Sequence, residues 1–319
     1  MADLQVTVGA AARDAWCSAF DAAQSSICAE FYRVTDPAVI ASLNAAAERG
    51  VQVHVEVEGL PDRYHRATDA HADATATSDS KDQTRARFSP LVHVDVSADP
   101  AVLLHAKAAL IDDRQALIAT ANQTPSGFYS PGEVVVSDTN PLDVAALAAA
   151  LGRKDPGQSA CFVSGPGTQL RARIDTLFAS SADLSIAVED LSDPVIVRRL
   201  EERLSAGHSD RLLINACKKV SPTEARAIRE LEAAGVAVRA LPRQYMHEKY
   251  IDAGDTIYVG SANLTHNGLD EAREAAVVAS PHCFDDGAAS LRADFESNWR
   301  RATAVRLRGC VPQALEKAA

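Results

Sequence analysis

The amino-acid sequence predicts an α/β protein built from two fused copies of one half, and three observations carry that prediction. Stretches with helical period alternate with short β-rich runs along the whole chain, the pattern of helices layered on sheets. The order of these elements, with several polar residues inside them, occurs twice. Proline and glycine gather between the copies at 153–167, RKDPGQSACFVSGPG, which places the halves at 1–155 and 156–319.

The first half opens with an amphipathic stretch at 11–23, read as a helix, and the apolar run SICAEFYRV, read as a strand. TDPAVIASLNAAAERG reads as a second helix, with Asp36-Pro37 as its start and Gly50 as its stop. VQVHVEV then alternates as a strand. The second half repeats this order as QLRARIDTLFASSA, LSIAVED, LSDPVIVRRLEERLSAG and DRLLINAC. Asp36-Pro37 matches Asp193-Pro194 and Gly50 matches Gly207, both at a displacement of 157 positions. Beyond this point the copies diverge. The first carries a polar stretch from about 61 to 90, a candidate lid or mobile insertion. The second carries the helical SPTEARAIRELEAAG and the strand-like VAVRAL.

Bulk properties narrow the classes. With 47% hydrophobic and 24% charged residues, the 319-residue chain is of globular rather than disordered type. No apolar run reaches the roughly 18 residues of a membrane span, and MADLQVTVGAAARDAW lacks the basic start and apolar core of a secretory signal. A cytoplasmic chain is the expectation. The formal charge of −11 argues against broad charge-driven binding to nucleic acid, although a basic cleft can sit on an acidic body. Lys218-Lys219 and Arg63 with Arg66 are the local basic spots. Six scattered cysteines without a CxxC pair read as isolated thiols of a reducing compartment.

The repeat sharpens where the chemistry lies. LLHAKAALIDDRQALIATANQT and PGEVVVSD in the first half face YMHEKYIDAGDTIYVGSANLT and AREAAVVAS in the second. His105 and Lys107 correspond to His247 and Lys249; Asn122 and Glu133 correspond to Asn263 and Glu274. The run 101–111 is apolar apart from His105 and Lys107, and side chains two apart on a strand share a face. A buried ammonium needs an anion or a polar cavity. Imidazole titrates near neutrality and serves as nucleophile, acid or base. Lysines and asparagines suit the stabilisation of an anionic phosphorane-like state. The other histidines (54, 65, 71, 93, 208, 266 and 282) show no metal-ligand spacing.

An HxK pair followed by Asp and then a GSxN-like segment, present twice and spanning essentially the whole chain, resembles the phospholipase D superfamily. The resemblance implies two α/β/α sandwich halves related by a pseudo-twofold axis, with one shared active site. It implies a phosphohistidine mechanism, with His105 as nucleophile and His247 as general acid/base, and no metal or other cofactor. Glu133 and Glu274 are expected to orient the histidines. Thr120, in Ala119-Thr120-Ala121-Asn122, and Ser261, in Gly260-Ser261-Ala262-Asn263, are candidate phosphate contacts. Asp112 fits the family spacing, whereas the second copy has Gly254 there, with Asp252 or Asp255 as substitutes. Tyr32 and Arg33, at the end of an early strand, are candidate cleft residues. The reading is a monomeric phosphodiester hydrolase acting on a phospholipid or small diester. A nuclease, a phosphatidyl transferase and a catalytically silent phosphate-binding module are the alternatives.

Overall fold

The repeat in the sequence becomes two sheets with seven strands in matching order, the second extended by one more. The computed structural model describes residues 4–59, 81–97, 99, 101–152, 159, 161–166 and 168–307. The junction at 155/156, most of the 61–90 stretch, and Arg63 and Arg66 lie outside these residues. The first sheet contains β1 (Leu4–Val8), β2 (Ser26–Phe31), β3 (Gln52–Glu58), β4 (His93–Ser97), β5 (Lys107–Ile111), β6 (Gln115–Ala119) and β7 (Val134–Asp138). The second contains β8 (Phe162–Ser164), β9 (Ser185–Val188), β10 (Arg211–Ile214), β11 (Ala237–Ala240), β12 (Lys249–Asp252), β13 (Ile257–Gly260), β14 (Ala275–Ala279) and β15 (Thr303–Ala304). Their orders are β1-β7-β6-β5-β2-β3-β4 and, read in the same sense, β8-β14-β13-β12-β9-β10-β11-β15.

The matched helices form for the reason the sequence implies. Asp36 accepts hydrogen bonds from the Ala38 and Val39 amides ahead of helix Pro37–Glu48, and Asp193 accepts from those of Val195 and Ile196 ahead of Pro194–Ser205. Gly50 and Gly207 follow these helices at φ +93° and +95°, the left-handed region that glycine enters without strain.

Alternation along the central strands places one core on each side. Ala108 and Leu110 of β5, Ile118 of β6 and Val136 of β7 join Tyr250, Val259 and Val277 in a core shared by both sheets. Ala109, Ile111 and Leu117 point the other way, into a core with Trp16, Phe20 and Leu43. Ile251 and Tyr258 do the same in the second half, against Leu170, Ile174 and Leu200. The strands that carry the two HxK motifs are thus packed on both faces, which fixes the backbone from which the site projects.

Arg273 clamps the halves together. Its Nη1 and Nη2 donate to Glu56 Oε1 and Oε2, both at 2.9 Å, and Nη2 also meets Glu30. Its amide donates to Leu103 O at 2.8 Å, and its carbonyl accepts from the His105 amide at 2.9 Å. Among the described residues no helix is long and apolar enough to cross a membrane. Cys217 is disulfide-bonded, which corrects the reading of isolated thiols at that position; chain spacing does not report which sulfurs fold together. Cys17, Cys28, Cys161 and Cys283 are free.

Arg273→Ala removes the guanidinium that buried Glu30 and Glu56 share, and removal of one partner from a buried pair costs about 3–5 kcal/mol. Urea denaturation of the variant is expected to show a loss of that order. A midpoint equal to that of the parent would contradict the clamp.

Candidate active site

Each catalytic candidate stands at the end of a strand, and each histidine is held by the opposite half. His105 and His247 lie two residues before the β5 and β12 lysines. Thr120 and Ser261 follow β6 and β13, while Glu133 and Glu274 precede β7 and β14. His105 Nδ1 lies 2.8 Å from Glu274 Oε1, a pairing across the two halves. Burial alone would raise the Glu274 carboxyl, but His105 and Lys107 outweigh it and hold Glu274 below the usual carboxylate range. An ionised Glu274 accepts a hydrogen bond from Nδ1–H, which leaves the Nε2 lone pair available to attack. Burial pushes His105 below the ordinary histidine range against the pull of Glu274, so the ring is neutral at neutral pH.

His247 sits differently. Its amide donates to Ser130 Oγ at 3.0 Å, and its Nδ1 lies 3.0 Å from Thr120 O, both in the first half. Nε2 is 3.1 Å from Glu189 Oε2, and Lys249 Nζ is 2.9 Å from Nδ1. Burial, reinforced by Lys249 and Lys107 and opposed by Glu189, pushes His247 well below the ordinary range. The Thr120 carbonyl at Nδ1 and the Glu189 carboxylate at Nε2 are both acceptors, so each ring nitrogen faces a group suited to receive its N–H, with the Lys249 ammonium competing at Nδ1. Burial disfavours an ionised Glu189, but His247, Lys249 and Lys218 outweigh it and hold the carboxyl well below its usual range. Glu189 also binds Lys249 Nζ at 2.8 Å and accepts from the Tyr245 hydroxyl.

Sequence reasoning missed Glu189, although a signal existed. The displacement of 157 that relates the helix caps also relates Tyr32 to Glu189. Tyr32 packs edge-on against His105 with ring centres 5.0 Å apart, and Lys107 Nζ lies 5.3 Å from the Tyr32 ring centre. An aromatic face in one half therefore stands where a carboxylate stands in the other. Arg33 Cζ lies 5.7 Å from the same ring. With no carboxylate at the Tyr32 position, burial pushes Lys107 down to about 7, Glu274 opposing and Lys249 adding to the shift.

The structure brings together His105, Lys107, His247, Lys249, Glu274 and Tyr32, and gives several others different tasks. Thr120 and Ser261 are fully buried. The Thr120 hydroxyl donates to Glu133 Oε2 at 3.3 Å and accepts from the Val134 amide at 3.0 Å. The Ser261 hydroxyl donates to Glu274 and accepts from the Ala275 amide at 3.0 Å. They brace the glutamates and present no free hydroxyl to a phosphate, which corrects their reading as phosphate contacts. Glu133 does not reach His247. Burial pushes it up to about 8, and its Oε1 has no hydrogen-bond partner among the described residues. Asn263 Oδ1 accepts from the Asp190 amide at 3.2 Å, and Nδ2 lies 3.4 Å from Glu189 Oε2. Asn122 Oδ1 is buried without a partner among the described residues, an acceptor open to a donor on a ligand.

Asp112 is not at the site, which corrects its reading as a substrate contact. At about 3.3 Å per strand residue it lies roughly 16 Å along the chain from Lys107. Its carboxylate accepts from the Gln24, Ser25 and Ser26 amides and the Ser25 hydroxyl, which hold it down at about 2 against the opposing effect of burial. Asp112 has φ +54° and the matching Gly254 has φ +84°, so this step needs a left-handed residue rather than a carboxylate. Asp252 instead accepts from the Gly254 amide at 2.8 Å and from Arg292 Nε at 2.6 Å. Lys218 is buried, 3.3 Å from Glu224 Oε2, and Lys219 is exposed.

Two sheets that share the order of seven matched strands, with a His–Lys pair at each central strand and a histidine–glutamate contact across the halves, define the class as a fused two-copy phospholipase D-like protein. The chain belongs to that family: the family model described as "Cardiolipin synthase, PLD-like domain" matches residues 16–153 and 174–299. Among solved structures it is similar to phosphatidylserine synthase from Haemophilus influenzae Rd KW20, with a TM-score of 0.69 and 13% identity over 94% of this chain and 87% of that one. It is also similar to polyphosphate kinase from Porphyromonas gingivalis, with a TM-score of 0.63 and 18% identity over 91% of this chain. This chain spans 50% of the kinase's length. At such identities the likeness is one of fold. No match is found among curated proteins.

The lysine shift gives a pH test. Lys107 is charged below about 7 and loses its proton as pH rises through that value, so anion binding weakens there. Sulfate, whose charge is constant across this range, is expected to bind more weakly above pH 7 in calorimetric titrations. Lys107→Arg, charged throughout, is expected to remove most of that decline. An identical decline in both proteins would contradict it.

Proposed function

We propose that the chain cleaves a phosphodiester through a covalent phosphohistidine on His105, with water as the acceptor. The His105–Glu274 pair carries this reading, because it leaves His105 Nε2 neutral and unprotonated in a site with two lysines. Nε2 forms a bond to phosphorus as the bond from phosphorus to the leaving oxygen breaks. The Lys107 and Lys249 ammonium groups stabilise the charge that gathers on the non-bridging oxygens, so the step is proposed to need no metal. A diester monoanion placed near His247 favours its protonated form, and that imidazolium protonates the leaving oxygen. His247 then takes a proton from the incoming water, whose oxygen displaces Nε2. Glu189, 3.1 Å from Nε2, stabilises that imidazolium once it forms.

An alcohol in place of water gives a transferase with the same residues. The synthase description of the matching family model favours this second reading.

The test is hydrolysis of a chromogenic aryl phosphodiester in excess EDTA, with and without added glycerol, for the parent, His105→Ala and His247→Ala. Turnover is expected to fall at least about 1000-fold in both variants. A glyceryl product in the parent would select the transferase reading. Equal turnover in all three proteins would overturn the assignment.

A further inference from the structure

We propose that His54, His93 and Asp95 form a binding site for a divalent transition metal of the zinc class, separate from the paired-histidine site. Chain spacing hides this group, but strand register assembles it. β3 and β4 run parallel, with His54 opposite His93. Asp95 lies two residues beyond His93 and so projects from the same face. The two imidazoles have ring centres 4.9 Å apart. Asp95 Oδ2 lies 3.0 Å from His54 Nε2 and 3.4 Å from His93 Nε2. A tetrahedral ion with bonds of about 2.0–2.1 Å needs ligand atoms roughly 3.3 Å apart. One ligand atom from each of the three residues lies within 4.8 Å of both others. Two imidazoles and a carboxylate suit zinc, and the exposure of His93 and Asp95 beside half-buried His54 leaves a fourth position for water.

Two other groups of this kind occur among the described residues, and both already hold a cation. In Asp183, His208 and Asp210, Arg203 Nε sits 2.7 Å from Asp210. In Asp193, His266 and Asp270, Arg171 bridges both carboxylates. A guanidinium at those positions repels a dication. Among the described residues, the side chains of His54, His93 and Asp95 have only one another as hydrogen-bond or ion-pair partners. Among the described residues β4 is the end strand of its sheet, so a bound ion would clip it to β3. His54 also shares a face of β3 with Glu56, which holds Arg273, so the clip sits beside the clamp between the halves.

The test uses the full chain without a histidine tag, stripped with EDTA, desalted and titrated calorimetrically with zinc chloride. The proposal predicts one saturable site whose affinity falls by at least roughly tenfold in His93→Ala and in Asp95→Asn. His266→Ala is expected to bind zinc as the parent does. Zinc is also expected to raise the melting temperature of the parent and not of His93→Ala. Circular dichroism in EDTA checks that the variants fold, and Asp95→Asn, which keeps the side-chain shape, serves if a histidine variant does not. Absence of saturable binding by the parent, or binding unchanged in the His93 and Asp95 variants, would overturn the proposal. Activity plays no part in the readout, so the outcome is independent of the proposed function.

Discussion

The hydrogen bond from His105 to Glu274 is the interaction on which the rest depends. The histidine comes from one half and its carboxylate from the other, so neither half can orient this ring alone. The architecture serves that pairing. The shared core fixes the spacing between β5 and β12, and Arg273 links the backbone beside His105 to the acidic residues Glu30 and Glu56. Ser261, wholly buried, donates to Glu274 from behind and fixes the carboxylate that fixes the imidazole. The chain of contacts runs from strand end to glutamate to histidine, with Ser261 and Glu274 buried and His105 partly so.

The two copies share a backbone plan and differ in electrostatics. Tyr32 in the first half and Glu189 in the second occupy matched positions after β2 and β9. The aromatic ring gives Lys107 and His105 no carboxylate at that position, and burial of Lys107 outweighs the more distant carboxylates and keeps the lysine easily deprotonated. Glu189 engages both His247 and Lys249, a setting suited to holding and returning a proton. The two histidines thereby sit in unequal surroundings, to which the Tyr32/Glu189 difference and the unequal reach of Glu274 and Glu133 both contribute.

Much of this was legible in the chain. Asp36-Pro37 and Gly50, with their counterparts Asp193-Pro194 and Gly207, state helix limits through local capping chemistry, and the structure has those helices. The doubled His–Lys–Asn–Glu series announced the site because polar residues in apolar strands need a reason to be there. What stayed hidden depends on contacts between distant segments. Glu274 pairs with the histidine of the other copy, a fact that linear order cannot express. Thr120 and Ser261 looked like phosphate contacts because a hydroxyl's residue type does not reveal which way it points. Asp112 was read as part of the motif, whereas its left-handed backbone and its hydrogen bonds to residues 24–26 make it a turn residue. His54 and His93 carried no spacing signal because register across neighbouring strands, not separation along the chain, brings them together.

The central claim is that the cross-half pairing makes His105 the nucleophile. The most direct measurement is peptide mass spectrometry of His247→Ala after incubation with an aryl phosphodiester and rapid alkaline quenching, which preserves phosphoramidate bonds. Without its acid/base partner the second step slows, so the account predicts that the phosphoryl ester adduct accumulates on His105. An adduct on another residue, or none while aryl alcohol is released stoichiometrically with enzyme, would contradict it.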